Sequence, residues 1–328
     1  MQLSTRLPPT VQGQWVSAYD KRKELFMNQL IKEIQTLKQE KNAVILAHYY
    51  VDDSIQEIAD YIGDSYYLSK LATEIDADII VFCGVSFMGE SAKILNPKKV
   101  VLLPEEHADC PMAHMVNKEK IEMIRREYPD TAVVCYINST AELKMYADVC
   151  VTSANALKIV KALPNKNIFF IPDEHLGRFI ASKLPEKYFI FHDGFCHVHT
   201  SITAKKVLEL KKKYPDSEIL VHPECPSDVV ELGNYVGSTS GIIEYATKSE
   251  SKEFIICTEM GILYELQKKN PNKTFYFPSE HPICVNMKKI TLEKVRDALW
   301  KEEKKVEVSD EIREAALKPL NRMLELAK

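Results

Sequence analysis

The feature that most constrains this chain is a spacing. Three apolar, β-branched runs each end in a ring-bearing polar residue: Ala43-Val-Ile-Leu-Ala-His48, Ala132-Val-Val-Cys-Tyr136 and Glu218-Ile-Leu-Val-His222. Their ends lie 88 and 86 residues apart. Seventeen residues beyond each end stands a hydroxyl at the start of a helical pattern, namely Ser65, Ser153 and Thr239. A second strand pattern follows (Asp78 to Phe82, Asn167 to Ile171, Glu253 to Cys257), then another helix and a last short strand starting at Val100, Tyr188 or Thr274. Just past these last strands stand Cys110, Cys196 and Cys284, which are 62, 60 and 62 residues beyond the ends of the opening runs. Self-similarity at a fixed period marks a repeated supersecondary unit. Short apolar strands alternating with helical patterns mark an α/β protein with parallel sheets.

The expected fold is therefore α/β, with three pseudo-threefold-related α/β/α (Rossmann-like) repeats at 38–129, 130–214 and 215–300. An N-terminal helix belongs to 1–37, with its amphipathic pattern running from 17 to 41. A C-terminal helix belongs to 301–328, bent or interrupted at Pro319. Ligand sites in parallel α/β sheets form beyond the carboxyl ends of the strands, where the rings, hydroxyls and cysteines fall. Three related units around one axis bring these anchors to a common centre.

Composition removes several alternatives. Glycine is scarce, at 10 of 328 residues, and no Gly-x-Gly occurs, so neither the dinucleotide fingerprint nor the Walker loop is present. The 43 basic and 47 acidic side chains leave a net charge of −4, which supplies no basic field for nucleic acid or an anionic membrane. No apolar run approaches the roughly 20 residues of a bilayer span. The N-terminal residues lack the apolar core of a secretory signal, so a cytoplasmic location is expected. The eight cysteines are then thiols or metal ligands before they are disulfides. With no Cys-x-x-Cys among them, a metal site must be gathered by the fold.

The cysteine triad carries the most specific chemistry. Three thiolates from three repeats suit a cubane iron–sulfur cluster with one iron free of protein ligands, or a three-cysteine zinc site. Cys83, Cys135, Cys150 and Cys257 lie in strand-like surroundings, where a free cysteine packs as a small apolar residue. Cys225 stays open between packing and the site. Ser65, Ser153 and Thr239 serve either as plain helix N-caps or, if the helix ends converge, as an anion pocket that needs no glycine loop. His48, Tyr50, Tyr136, Asn138, His222 and Glu224 bring acid–base and hydrogen-bonding groups to strand ends, with His222 and Glu224 spaced to act as a pair. His199, three residues past Cys196, is the better histidine candidate there, whereas His197 reads as solvated or packed. His107, His114, His175, His192 and His281 have no such support.

These residues also carry a resemblance. Ile45-Leu-Ala-His48-Tyr-Tyr50, Ile55 to Ser65, Phe87-Met-Gly-Glu-Ser-Ala-Lys93, Val221-His222-Pro-Glu224-Cys, Gly237-Ser-Thr239-Ser and Pro319-Leu-Asn-Arg-Met-Leu, in this order, resemble the quinolinate synthase family from about residue 20 to 327. The resemblance implies three pseudo-threefold α/β domains around an oxygen-sensitive [4Fe–4S] cluster. It implies a condensing and dehydrating transferase of de novo NAD biosynthesis. Iminoaspartate and dihydroxyacetone phosphate would give quinolinate, phosphate and water, and an aspartate-oxidising enzyme would be the functional neighbour. Family roles fall on Cys110, Cys196 and Cys284 as cluster ligands. The substrate pocket falls on His48, Tyr50, Ser65, Tyr136, Asn138, Ser153, His199, His222, Glu224 and Thr239.

The implied mechanism uses the open iron as a Lewis acid, with Glu224 as leading base, His222 assisting, and Tyr50 and His48 guiding protons on the triose. Two departures stand out. Some relatives surround the last ligand with Cys-x-x-Cys-x-x-Cys, whereas Cys284 stands alone after His281-Pro-Ile, so a disulfide switch is not available there. Many have Pro-Glu where this chain has Asp53-Ser54. The alternatives are a non-catalytic iron–sulfur sensor and a three-cysteine zinc enzyme on the same scaffold.

Overall fold

The computed structural model describes residues 9–278 and 282–328. Three separate parallel sheets of four strands carry the fold. The first contains β1 (Ala43–His48), β2 (Tyr61–Gly63), β3 (Ile79–Cys83) and β4 (Val100–Leu102) in the order β2-β1-β3-β4. The second contains β5 (Thr131–Tyr136), β6 (Val149–Val151), β7 (Asn167–Ile171) and β8 (Tyr188–Phe191), and the third β9 (Glu218–Val221), β10 (Tyr235–Val236), β11 (Glu253–Cys257) and β12 (Thr274–Tyr276). Their orders, β6-β5-β7-β8 and β10-β9-β11-β12, are the same topology twice more. An α/β architecture of three repeats is thus what the chain adopts.

The central strands read as unbroken apolar runs because helices cover both faces of each sheet. Every residue of β3 and β5 is buried. Each sheet has one strand more than the sequence pattern suggested: β2, β6 and β10 are only 3, 3 and 2 residues long, too short for any periodicity to register. They run immediately ahead of the helix-start hydroxyls and set where those fall.

The helix from Pro9 to Glu40 starts earlier than its amphipathic pattern indicated. At the other end, Asp310–Leu326 is one helix that includes Pro319, so of the bend or interruption expected there the interruption does not occur. Buried Ala316, Leu320 and Met323 hold the segment down on both sides of the proline, offsetting the hydrogen bond its ring removes. Among the described residues, no helix is long and apolar enough to cross a membrane.

The apolar core is divided unevenly. One continuous cluster joins the first two repeats to residues of both terminal helices, including Leu30, Ile34, Leu320 and Met323. Helix Leu292–Lys301 packs on helix Pro9–Glu40 and on β3, so it covers the first sheet. The third sheet has its own two clusters. Leu220, Phe254 and Ile256 face one side, and Ile219, Val221, Ile255 and Cys257 the other, as the period of a strand requires. Its seam with the first repeat is mixed: Tyr49, Tyr50 and Ile62 pack into the cluster of Leu220, Phe254 and Ile256, and the Gln56 side-chain amide donates across it to the Gly261 carbonyl at 3.0 Å as well as to the Tyr49 carbonyl at 2.9 Å.

Candidate active site and metal centre

The carboxyl ends of the three sheets meet at one cavity. His48, Tyr50, Ser65, Tyr136, Asn138, Ser153, His199, His222, Glu224 and Thr239 all line it, together with Cys110, Cys196 and Cys284. Every candidate named from the sequence is therefore brought to one place. His197 lies at its exposed rim. His281 lies outside the described residues.

The five remaining cysteines are fully buried and the three lining ones only partly so; all eight are free thiols. Cys225 is resolved in favour of packing, with its thiol directed at the Cys257 carbonyl at 3.4 Å inside the third repeat's core.

The hydroxyls reach the cavity because the capping task falls elsewhere. Asp64 caps helix Ser65–Glu74, its carboxylate accepting from the Tyr67 N–H at 3.0 Å. Ser238 caps helix Thr239–Lys248, accepting from the Gly241 N–H at 3.2 Å. Ser65 and Thr239 are thus first helical residues, next to orphan backbone N–H groups rather than satisfying them. Ser153 occupies a turn before helix Ala156–Ala162, where Asn155 accepts from the Thr152 N–H at 2.7 Å. Plain N-capping does not account for any of the three.

A short loop after β1 and another after β9 repeat one device. The Tyr50 N–H donates to His48 Nδ1 at 3.2 Å, and the Glu224 N–H to His222 Nδ1 at 3.4 Å. Each bond makes Nδ1 an acceptor and leaves a neutral ring with its proton on Nε2. Burial drives both pKa values down to about 3, with nearby charges secondary. His222 Nε2 lies 3.3 Å from Ser153 Oγ.

Glu224 stands at the centre of the polar network. Its Oε2 is 2.9 Å from His199 Nδ1, and its Oε1 accepts from the Tyr136 hydroxyl. Burial works against its charge, but His199, His222 and the two hydrogen bonds outweigh it and hold the carboxyl well below the usual range. Tyr136 and Tyr50 move the opposite way: burial and then the Glu224 charge push both phenols well above their ordinary value, so each keeps its proton. Tyr50 OH is 2.8 Å from both Thr239 Oγ1 and Thr258 Oγ1, and Thr258 Oγ1 is 2.9 Å from His199 Nε2. Among the described residues, Asn138 Oδ1 is buried without a hydrogen-bond partner.

Sequence reading missed Thr258, Asp109 and Glu259. Glu259 and the buried Asp173 are 86 residues apart, the interval that also separates Tyr136 from His222. Applying the repeat period to acids would have found the pair.

The three lining thiols are neutral as they stand. Burial, and then the nearby Cys284 thiol, lift Cys110 to about 12; burial also raises Cys196 and Cys284. No lysine or arginine lines the cavity among the described residues, and a bound metal would supply the positive charge that three thiolates need. Cys196 Sγ, His199 Nδ1 and a Glu224 oxygen also lie within 4.8 Å of one another. The donor set fits a metal centre.

Parallel sheets whose strand ends enclose buried acid–base groups and three free thiols define a class, an α/β enzyme with a thiol-lined metal site. The family described as NadA, quinolinate synthetase A protein, matches residues 32–325, and the chain belongs to that family. It is 54% identical over 299 residues to the quinolinate synthase of Clostridioides difficile strain 630, covering 91% of this chain and 98% of that one. Against the quinolinate synthase of Caldicellulosiruptor saccharolyticus it is 52% identical over 296 residues, covering 90% and 98%. Against that of Aquifex aeolicus it is 48% identical over 306 residues, covering 92% and 95%.

Proposed function

We propose that this chain is a quinolinate synthase of de novo NAD biosynthesis, acting in the cytoplasm. It condenses iminoaspartate with dihydroxyacetone phosphate and releases phosphate and water. An enzyme that oxidises aspartate supplies the imine. The observation that carries this reading is the convergence of three cysteines and ten polar residues from three repeats on a single cavity.

Cys110, Cys196 and Cys284 are the residues that would hold a [4Fe–4S] cluster, which when bound supplies a Lewis acid at an iron free of protein ligands.

The substrates carry a phosphate and two carboxylates into a cavity that no lysine or arginine lines among the described residues. The N-terminal N–H groups of helix Ser65–Glu74, with the turn at Ser153, take the phosphate through backbone donors and the helix dipole. Asn138 and the Thr239 hydroxyl hold carboxylate groups. Glu224, ionised between Tyr136 and His199, is the leading base, with neutral His222 assisting. Tyr50 and His48, both carrying protons, guide proton transfer on the triose. The low position of the Glu224 carboxyl makes it a weak base alone, and its contact with His199 offers the abstracted proton a route onward.

Anaerobic turnover with iminoaspartate generated in situ and dihydroxyacetone phosphate tests the reading. Quinolinate is the expected product; its absence with iron-loaded protein would overturn the assignment.

A further inference from the structure

In the third repeat, a carboxylate ties the cysteine loop to the turn that follows the third strand. Glu259, two residues past β11, is fully buried. Its Oε2 accepts from the Gly261 N–H at 2.6 Å and caps the turn Met260–Ile262, while Oε1 accepts from the Cys284 N–H at 3.0 Å. Beside this link the Met260 N–H donates to the Pro282 carbonyl at 2.9 Å, and the Lys288 N–H to the Cys284 carbonyl at 3.2 Å. The Lys288 ammonium lies 3.7 Å from Glu259 Oε1 and 3.6 Å from Asp52 of the first repeat.

The other repeats vary the same arrangement. In the first, the position two past β3 is Val85, and the carboxylate comes from Asp109 instead. Asp109 Oδ1 accepts from the Ser86 hydroxyl at 2.6 Å, at the start of helix Ser86–Leu95, and from the Cys110 N–H at 2.8 Å. In the second, Asp173 stands two past β7 and caps Leu176 at 2.7 Å. Its other oxygen makes no hydrogen bond of ordinary geometry, and the Cys196 N–H is among the groups acting on it.

A cap alone does not call for a carboxylate in such a place. One oxygen suffices to cap, and Ser238 does so with a hydroxyl, at a far smaller desolvation cost than a fully buried acid. The second oxygen of Glu259 is what distinguishes it, and that oxygen holds the cysteine.

We propose that Glu259 is a positioning residue for Cys284, fixing the backbone of that loop so that the thiol is presented to the metal centre. The proposal rests on the cluster reading given above. Groups that orient a metal ligand from behind typically contribute 10–100-fold to metal affinity. Gln at this position keeps one acceptor oxygen for two N–H donors; Ala keeps none.

The test uses the full chain as wild type, Glu259→Gln, Glu259→Ala and a control, Glu265→Gln, another buried acid of the same repeat that faces Lys268 and Lys269. Two quantities are read: iron release from anaerobically loaded protein to a ferrous chelator, and amide hydrogen exchange of residues 282–290 in metal-free protein. Release is expected to be about 10–100-fold faster in Glu259→Ala and intermediate in Glu259→Gln, with exchange faster in the same order and the control unchanged. Faster exchange with unaltered release would reduce Glu259 to a cap and overturn the proposal, as would no change in either. If Glu259→Ala does not fold, Glu259→Gln carries the decision. Wild-type protein that takes up no iron would instead overturn the cluster reading, and this proposal with it, while its exchange still reports the Glu259–Cys284 bond.

Discussion

His199 Nδ1 lies 2.9 Å from Glu224 Oε2, with both residues almost wholly buried. This contact begins a chain of short polar contacts that runs through His199 Nε2 to Thr258 and then through Tyr50 to Thr239, crossing all three repeats. Glu224→Gln keeps the shape and removes the charge that the chain is organised around. Turnover is expected to fall by ~10²–10⁴ with iron content unchanged. Near-normal quinolinate formation in this variant would remove Glu224 from the chemistry.

The cysteines divide into two groups with opposite expected behaviour. Serine at Cys110, Cys196 or Cys284 should each abolish the cluster, seen as loss of the brown chromophore and of about four irons per chain. Serine at Cys83 or Cys257 places a hydroxyl in a fully buried apolar site and should cost about 1–3 kcal/mol of stability while leaving the iron in place. A colourless wild type rich in zinc would decide against the cluster.

Acid should destabilise the metal-free protein through its buried imidazoles. The folded pKa of His222, at about 3, is below the ~6.5 of an unfolded chain, so between these values the unfolded state binds the extra proton. Stability from this group is present above pH ~6.5 and lost as pH falls toward 3, amounting to about 2 kcal/mol between pH 7 and 5. His222→Asn should therefore lose about 2 kcal/mol less than wild type over that interval in urea unfolding. Equal losses would mean that His222 is protonated in the folded protein.

Gly261 of the third repeat sits directly against the backbone of the first at Tyr49 and Tyr50. A Cβ there would stand 2.6 Å from the Tyr49 carbonyl oxygen and 2.8 Å from both Tyr50 Cα and Glu259 Oε2. Two of these neighbours are backbone and cannot rotate away. Gly261→Ala is expected to cost about 1–3 kcal/mol by urea unfolding. It should also lower turnover, since it displaces Tyr50.

Much of this molecule was legible because its site is periodic. The strand ends His48, Tyr136 and His222 and the cysteines at 110, 196 and 284 keep their intervals to within two residues, and a parallel sheet converts equal intervals into equal depth at its carboxyl edge. What escaped notice had no run of its own. β10 is two residues long, and Thr258 is a lone hydroxyl whose role exists only because Tyr50 and His199 arrive from elsewhere. The caps were displaced by one residue, from Ser65 to Asp64 and from Thr239 to Ser238, because each segment offers two capping side chains in succession. Only backbone geometry decides which of the two is used, and that choice frees the other for a ligand.

The uneven division of the core has a consequence for how the protein comes apart. Releasing residues 215–277, which contribute no side chain to the largest apolar cluster, would leave that cluster whole and would part the contact of Tyr49, Tyr50 and Ile62 with the third sheet and the hydrogen bond from Gln56 to Gly261. That same departure would carry off His222, Glu224 and Thr239 and break the bond from the Cys284 N–H to Glu259. An opening that spares most of the core is thus one that dismantles the cavity, so a ligand held there by residues of all three repeats would act as a clasp on the third.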